Sequence, residues 1–246
     1  MNLLIDIGNT RLKWAVQQSG NLDFFGALVC NQDDFPATLI ASWRLLELPN
    51  CIYIACVSST ELKQLLTSII RQLWPRCLIQ EIHTKKYSHG VSNAYLNPEK
   101  LGADRWLAML GAFNHYSGPL CVVDFGTAIT LDVIDEQGQH LGGMIMPGLT
   151  LLKQSLSKGT AGLSFSSETH KQGLANYTQA AIYNGSLYAV KGFIEAGLMQ
   201  YAQTSRLILT GGDAEFLANT LKLDAVVDAE LVFKGMALLS SEQSKL

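Results

Sequence analysis

Two stretches decide how this chain is read: Leu3-Leu4-Ile5-Asp6-Ile7-Gly8-Asn9-Thr10 and Cys121-Val122-Val123-Asp124-Phe125-Gly126-Thr127-Ala128. Each is an apolar run, an Asp, one hydrophobic residue, a Gly and short polar or small residues. Asp6 and Asp124 lie 118 positions apart, as do Gly8 and Gly126, and Gly20 and Gly138. A motif that returns at one offset with its following turn predicts two related half-domains facing each other. The apolar run has the length and β-branching of a buried strand, with Asp at its end and Gly in the turn. Gly in such a turn permits positive φ and lets backbone N–H groups approach an anion. A carboxylate beside a phosphate-cradling turn can hold hydrated Mg²⁺. One copy alone would read as an ordinary hairpin; the duplication favours a nucleotide clamp.

Working outward, residues 1 to about 30 read as three strands joined by turns at Gly8-Asn9 and Gly20-Asn21. A helix capped by Asp33-Asp34 should run to about Leu46. A strand at Cys51–Val57, a helix from Ser59-Thr60 to about Leu73 stopped by Pro75, and a strand at Cys77–Ile82 complete an α/β half of ribonuclease-H type. Thr84–Lys100 reads as a loop and Leu101–His115 as a helix. Strands at 120–125, 128–135 and 139–146 then repeat the opening. A helix from Pro147-Gly148, a Gly/Ser/Thr-rich segment at 159–176, a helix at 178–204, a strand at Leu207–Leu209, a helix from Ala214 and a last helix at 230–239 follow, with a polar tail expected to fray. The division expected is 1–117 and 118–246.

Composition narrows the partners. The chain has 246 residues, is 48% hydrophobic and carries a formal charge of −3, without a basic stripe. This argues against nucleic acid. Asp6 and Lys13 interrupt the first apolar stretch too early for a signal peptide, and no run is long enough to span a membrane. The five cysteines (Cys30, Cys51, Cys56, Cys77, Cys121) read as free thiols of a cytosolic protein, and the five histidines lack metal-ligand spacing.

Five segments carry the chemistry: Asp6-Ile7-Gly8-Asn9-Thr10-Arg11-Leu12-Lys13, Leu101-Gly102-Ala103-Asp104-Arg105, Asp124-Phe125-Gly126-Thr127-Ala128, Gly142 to Gly148, and Thr210-Gly211-Gly212. Asp104 falls in the first turn of its helix, where the macrodipole favours the ionised form that can accept a hydroxyl proton. Arg105 offers a planar fork for a carboxylate. Together the segments resemble type III pantothenate kinases, and Gly-Ala-Asp-Arg after Tyr95-Leu96-Asn97-Pro98 is the most specific part. The resemblance implies two ribonuclease-H-like halves of the actin, sugar-kinase and Hsp70 (ASKHA) fold with a central cleft. It implies ATP-dependent phosphorylation of the primary hydroxyl of pantothenate, the first step of coenzyme A biosynthesis.

By position, the resemblance implies that Asp6, Ile7, Gly8, Asn9, Thr10, Arg11, Leu12 and Lys13 bind ATP phosphates with Thr127, and that Asp6 helps place Mg²⁺. Tyr95, Gly102, Ala103, Asp104, Arg105 and Thr178 match pantothenate-binding positions, with Asp104 the proton acceptor. Asp124 matches a ligand of a monovalent cation, K⁺ or NH₄⁺. The family pattern departs at Thr178, where Tyr177 separates it from Asn176 and Ala180 stands where an acid is common. A cytoplasmic homodimer with a shared site is implied, with helices 101–115 and 178–204 as interface candidates. Other kinases or phosphatases of the same fold, and a nucleotide-binding regulator without turnover, are the alternatives. A carboxylate-bearing acceptor and an intact Asp104 discriminate against them.

Overall fold

The computed structural model describes residues 1–160 and 162–243, apart from the side chains of Phe24, Glu242 and Gln243; of the tail expected to fray after 239, residues 240–243 continue the last helix instead, and 244–246 lie outside the described residues. The chain divides into two compact units, 1–115 with 230–246 and 116–229.

In the first unit β1 (Asn2–Ile7), β2 (Arg11–Gln18), β3 (Asn21–Val29), β4 (Cys51–Cys56) and β5 (Leu78–Glu81) form one sheet in the order β3-β2-β1-β4-β5. β1 runs antiparallel to β2 and parallel to β4. Leu3, Leu4 and Ile5 are all fully buried, because this central strand is covered on both faces; such strands read as unbroken apolar runs rather than alternations. One face packs against α1 (Phe35–Trp43) and α2 (Thr60–Leu73) through Ile5, Ile7, Trp14, Ile54, Leu39, Trp43, Leu66 and Ile70. Ser59 caps α2 by accepting from the Leu62 amide at 3.3 Å, as its position before Thr60-Glu61 predicts. Asp34 occupies the cap position of α1, but its side chain makes no capping bond there.

The second unit repeats the arrangement. β8 (Leu120–Phe125), β9 (Ala128–Ile134), β10 (His140–Pro147), β11 (Arg206–Thr210) and β12 (Val226–Val227) take the order β10-β9-β8-β11-β12. Again the first strand is antiparallel to the second and parallel to the fourth. Leu149, Tyr183, Leu187, Ile194 and Leu217, from α4 (Leu149–Gly159), α5 (Thr178–Tyr201) and α6 (Ala214–Leu221), pack on Val123, Phe125, Leu131 and Leu209. These two sheets of identical order are the ribonuclease-H-like duplication of the ASKHA fold.

Three further expectations change. Residues 84–100 are not all loop: β6 (Tyr87–Ser88) and β7 (Val91–Ser92) form a hairpin, and Pro98–Lys100 a 3₁₀ turn. The last helix, α7 (Leu231–Gln243), belongs to the first unit rather than to the second half. It packs on α3 (Ala103–His115) and on β1, where Tyr53 Oη and buried Gln17 bond its C-terminal turns. Finally, Gly8 and Gly126 do not take positive φ, whereas Gly20 and Gly138 do, at 86° and 80°. The motif glycines serve backbone approach, and the left-handed conformation is confined to the turns that follow.

Candidate functional site

The first turn is tight because the Gly8 amide donates to the Arg11 carbonyl at 3.0 Å. A Cβ on Gly8 would stand 3.2 Å from that carbonyl, closer than side chains ordinarily sit. Asp6 ends β1 half-buried, in register with Lys13. Asn9, Thr10 and Arg11 are exposed at the turn, while Ile7 and Leu12 are fully buried in the core. Ile7 and Leu12 can therefore meet a nucleotide only through their backbone.

The second turn is built differently. The Gly126 amide donates to the Ala128 carbonyl at 3.1 Å, so a single residue, Thr127, stands at its tip. Thr127 and Gly126 are exposed and Asp124 is half-buried. Two further glycines press backbone onto this turn. The Gly148 amide donates to the Thr127 carbonyl at 2.9 Å, and a Cβ at Gly148 would collide with the Gly126 and Thr127 carbonyls. Gly211, at φ 96°, lies against Asp124 Oδ1 and the Phe125 carbonyl, again with no room for a Cβ. Three of the five segments picked from the sequence thus meet at one end of the second sheet.

The Gly-Ala-Asp-Arg segment opens α3. Asp104 is half-buried in the first turn, and its Oδ1 accepts the Arg105 amide at 2.8 Å. Gly102 makes room for this carboxylate: a Cβ there would lie 2.5 Å from Asp104 Oδ1. Arg105 is only 4% exposed, so it is no surface charge. Its Nη1 donates to Tyr95 Oη at 2.7 Å. Desolvation strengthens such a charge-assisted bond. Two of the residues matched to pantothenate binding are thereby joined as one unit.

Sequence reasoning missed the residue that presents Tyr95. Asn93 is 0% exposed. Its Oδ1 accepts the Tyr95 amide at 2.9 Å, and its Nδ2 donates to the Lys85 and Pro98 carbonyls, each at 3.3 Å. Lys86 Nζ donates to the Asn93 carbonyl at 2.7 Å. A buried side-chain amide that ties a loop to itself holds that loop in one shape. An Asn among Gly and Pro reads only as a turn former, so nothing in the sequence marked it.

Thr178 is exposed at the first position of α5 in the second unit. In the same unit, Lys153 is buried on α4 over the rings of Phe165 and Tyr183, at 5.5 and 5.9 Å. Burial pulls its ammonium below the usual lysine range, and Asp213 opposes this. Among the described residues, no group of three or more His, Cys, Asp or Glu side chains is placed to hold a metal ion.

Residues 2–200 match the family model for type III pantothenate kinase. The type III pantothenate kinase of Nitrosococcus oceani is 33% identical over 100% of this chain and 96% of that protein. That of Dichelobacter nodosus is 36% identical, covering 96% of both. The chain belongs to the type III pantothenate kinase family.

As a pantothenate kinase it uses ATP to phosphorylate pantothenate, the first step of coenzyme A biosynthesis. Solved structures agree on the fold. A Campylobacter jejuni protein described as a Baf family transcriptional activator is 26% identical, with a TM-score of 0.64 over 99% of this chain and all of that one. A 2-dehydro-3-deoxygalactonokinase protein from Sinorhizobium meliloti aligns with a TM-score of 0.60 at 13% identity over the whole of both chains, and bears on the fold alone. No helix among the described residues is long and apolar enough to cross a membrane.

Proposed function

We propose that the pantothenate kinase works through Asp104 as proton acceptor, with Tyr95 and Arg105 holding the pantothenate carboxylate and Gly102 and Ala103 lining the acceptor. The observation that carries this is the Asp104 carboxylate, which sits at the head of α3 one residue from a buried arginine already oriented by Tyr95. A helix N-terminus stabilises an ionised carboxylate, and an ionised carboxylate can take the hydroxyl proton as the phosphoryl group arrives. The buried guanidinium supplies charge in a desolvated setting, where it discriminates strongly for a carboxylate partner.

Asp6, Gly8, Asn9, Thr10, Arg11 and Lys13, with the backbone of Ile7 and Leu12, receive ATP phosphates, and Thr127 is a further ATP-binding position. Phosphoryl transfer needs little beyond positioning and charge neutralisation. Mg²⁺ fits this donor set: it prefers one or two carboxylates plus phosphate oxygens and water to an all-protein cage, and Asp6 offers a half-exposed carboxylate on β1 beside the turn. When bound, Mg²⁺ neutralises phosphate charge. Asp124 would hold the monovalent cation, K⁺ or NH₄⁺, its carboxylate lying where Gly211 leaves a space that a side chain would fill.

We assign Thr178 to the substrate from a neighbouring protomer, in a cytoplasmic homodimer. Support comes from α5, whose exposed positions Thr178, Ala181, Gly185, Tyr188, Ala189, Gly192, Glu195, Ala196, Met199 and Gln200 recur on one face and are mostly small or apolar. Small residues along a helix face allow close helix approach, and unpaired apolar surface of this kind marks contact sites. The other interface candidate, helix 101–115, is corrected: Ala103 and Arg105 to Ala112 are already buried within one chain.

The test is Asp104→Asn, assayed for ADP release with pantothenate. The amide keeps the shape but cannot take the proton, so turnover should fall by about 10²–10⁴-fold while the circular dichroism spectrum is unchanged. Turnover near that of the unaltered enzyme removes Asp104 from the mechanism.

A further inference from the structure

Helices α3 and α7 touch through a reciprocal pair of glycines. A Cβ placed on Gly235 would run into the Leu107 carbonyl oxygen and come within 2.8 and 3.0 Å of its carbonyl carbon and Cα. A Cβ placed on Gly111 would run into the Leu231 carbonyl oxygen and within 3.2 Å of the Gly235 amide nitrogen. Within an α-helix the carbonyl of residue 107 accepts the amide of residue 111, and that of 231 the amide of 235. Each glycine therefore lies over the carbonyl to which its partner's amide bonds. The two backbones meet with no side chain between them, and such a contact has no rotamer to absorb a displacement.

This contact is close to the acceptor residues. Leu107 follows Asp104 by three positions and Arg105 by two, so all lie on the opening turn and a half of α3. At its other end α7 is tied to the first sheet. Buried Gln17 donates from Nε2 to the Ala237 carbonyl at 3.2 Å and to Ser241 Oγ at 3.3 Å. Ser240 Oγ donates to Gln17 Oε1 at 2.6 Å, and Tyr53 Oη to the Ser240 carbonyl at 3.4 Å. Gln17 lies on β2, the strand that begins at Arg11 directly after the first phosphate turn. One helix thus joins the strand leaving that turn to the helix bearing Asp104 and Arg105.

We propose that α7 is a brace that sets the acceptor end of α3 against the first sheet, with Gly235 and Gly111 as positioning residues for pantothenate. This rests on the reading that Asp104 and Arg105 serve the acceptor. A methyl group at Gly235 pushes on the Leu107 carbonyl and so moves the first turn of α3. It leaves the Asp6–Lys13 turn, which hydrogen-bonds within itself and to β4, in place. The brace therefore predicts a selective defect: pantothenate binding suffers and ATP binding does not.

The experiment is Gly235→Ala in the full chain, with pantothenate and ATP varied separately and thermal unfolding recorded. The pantothenate KM should rise about 10- to 100-fold, the range expected when a reacting group is displaced by a fraction of an ångström to an ångström, and the ATP KM should stay within about twofold. Leu66→Ala is the comparison, a cavity in α2 on the opposite face of the same sheet. It should lower the melting temperature and leave both KM values unchanged. If Gly235→Ala does not fold, Ser240→Ala, which adds no atom and removes the bond to Gln17, should raise the pantothenate KM by about threefold without altering that for ATP. A pantothenate KM that does not move, or that moves together with the ATP KM, overturns the brace. Asp104→Asn run in parallel separates the two ideas. Retained turnover there defeats the acceptor assignment, whereas a dead Asp104→Asn beside an unchanged pantothenate KM in Gly235→Ala defeats the brace alone.

Discussion

The two Asp-x-Gly turns share a sequence motif and differ in construction. The first spans two tip residues, Asn9 and Thr10, and closes on itself through Gly8 and Arg11. The second has one tip residue, Thr127, and is clamped from outside by Gly148 and Gly211. The strand registers record the difference. Asp6 pairs with Lys13, seven positions on, but Asp124 pairs with Thr130, six positions on. The 118-residue offset that reappears at Gly20 and Gly138 is restored only by a longer connection between β9 and β10, where Ile134 pairs with His140, against Gln18 with Asn21 in the first unit. Duplication preserved the chemistry-bearing carboxylate and glycine while the backbone around them diverged. A self-closed turn presents three exposed polar residues, Asn9, Thr10 and Arg11, at its surface; a clamped turn fixes its carboxylate.

That contrast can be broken most forcefully at the carboxylates. Asp6→Asn should lower kcat by on the order of 10²–10³-fold, because the charge proposed to place Mg²⁺ is lost. Asp124→Asn should instead abolish the activation by K⁺ or NH₄⁺ over Na⁺ at constant ionic strength. Steady-state rates across a cation series decide it, and matching defects in the two variants would erase the functional difference between the turns.

The glycines give the next largest effect. Gly148→Ala should destabilise the protein by about 1–3 kcal/mol, the usual cost of forcing atoms into a packed site. Gly8→Ala, meeting one carbonyl at 3.2 Å, should cost less than about 1 kcal/mol. Urea unfolding monitored by far-ultraviolet circular dichroism, which reports on both units, measures both, and equal losses would mean that the second turn is no more rigidly held than the first.

The smallest effect concerns how the second unit closes its ends. Tyr116 Oη donates to Asp228 Oδ2 at 2.7 Å, joining residues near the two ends of the 116–229 unit. Burial first, then this bond and the Asp228 charge, push the phenol up to about 12 from its ordinary value of 10.0. The protonated form is thus favoured in the folded state. The stabilisation is fully present below pH 10 and drains away as pH rises towards about 12. Unfolding free energy measured from pH 9 to 12 should fall more steeply for the native chain than for Tyr116→Phe. Parallel curves would remove this bond from the account.

Much of the fold was legible because it rests on strands buried on both faces and on punctuation. Leu3-Leu4-Ile5 and Cys121-Val122-Val123 announce central strands, and Ser59, Pro75 and Gly118-Pro119 mark boundaries. The placement of α7 was not legible. Its sequence shows an apolar helix but not which sheet it covers, and the glycine at 235 acquires meaning only beside Leu107. β12, two residues long, offers no periodicity to detect. At the candidate site, Asp104 and Arg105 stood out by motif, yet the burial of Arg105 and its bond to Tyr95 depend on a loop folded by Asn93. That residue works through backbone carbonyls, which any sequence supplies, so its contacts leave no pattern of side-chain types.

The return of α7 to the first unit has a consequence for biosynthesis. The second unit is one continuous segment, 116–229, and all of it is synthesised before α7 is made. The first unit emerges earliest, yet its sheet waits for the last helix of the chain. At the usual elongation rates of about 5–20 residues per second, that wait is on the order of ten seconds. During it the β1 and β3 surface that α7 will cover, and buried Gln17 of β2, which bonds to it, lack that cover. The order of synthesis and the order of completion are therefore reversed. A chain released before Leu231 would carry a complete second unit and an open first one, and exposed strand surface of that kind is what chaperones and proteases act upon.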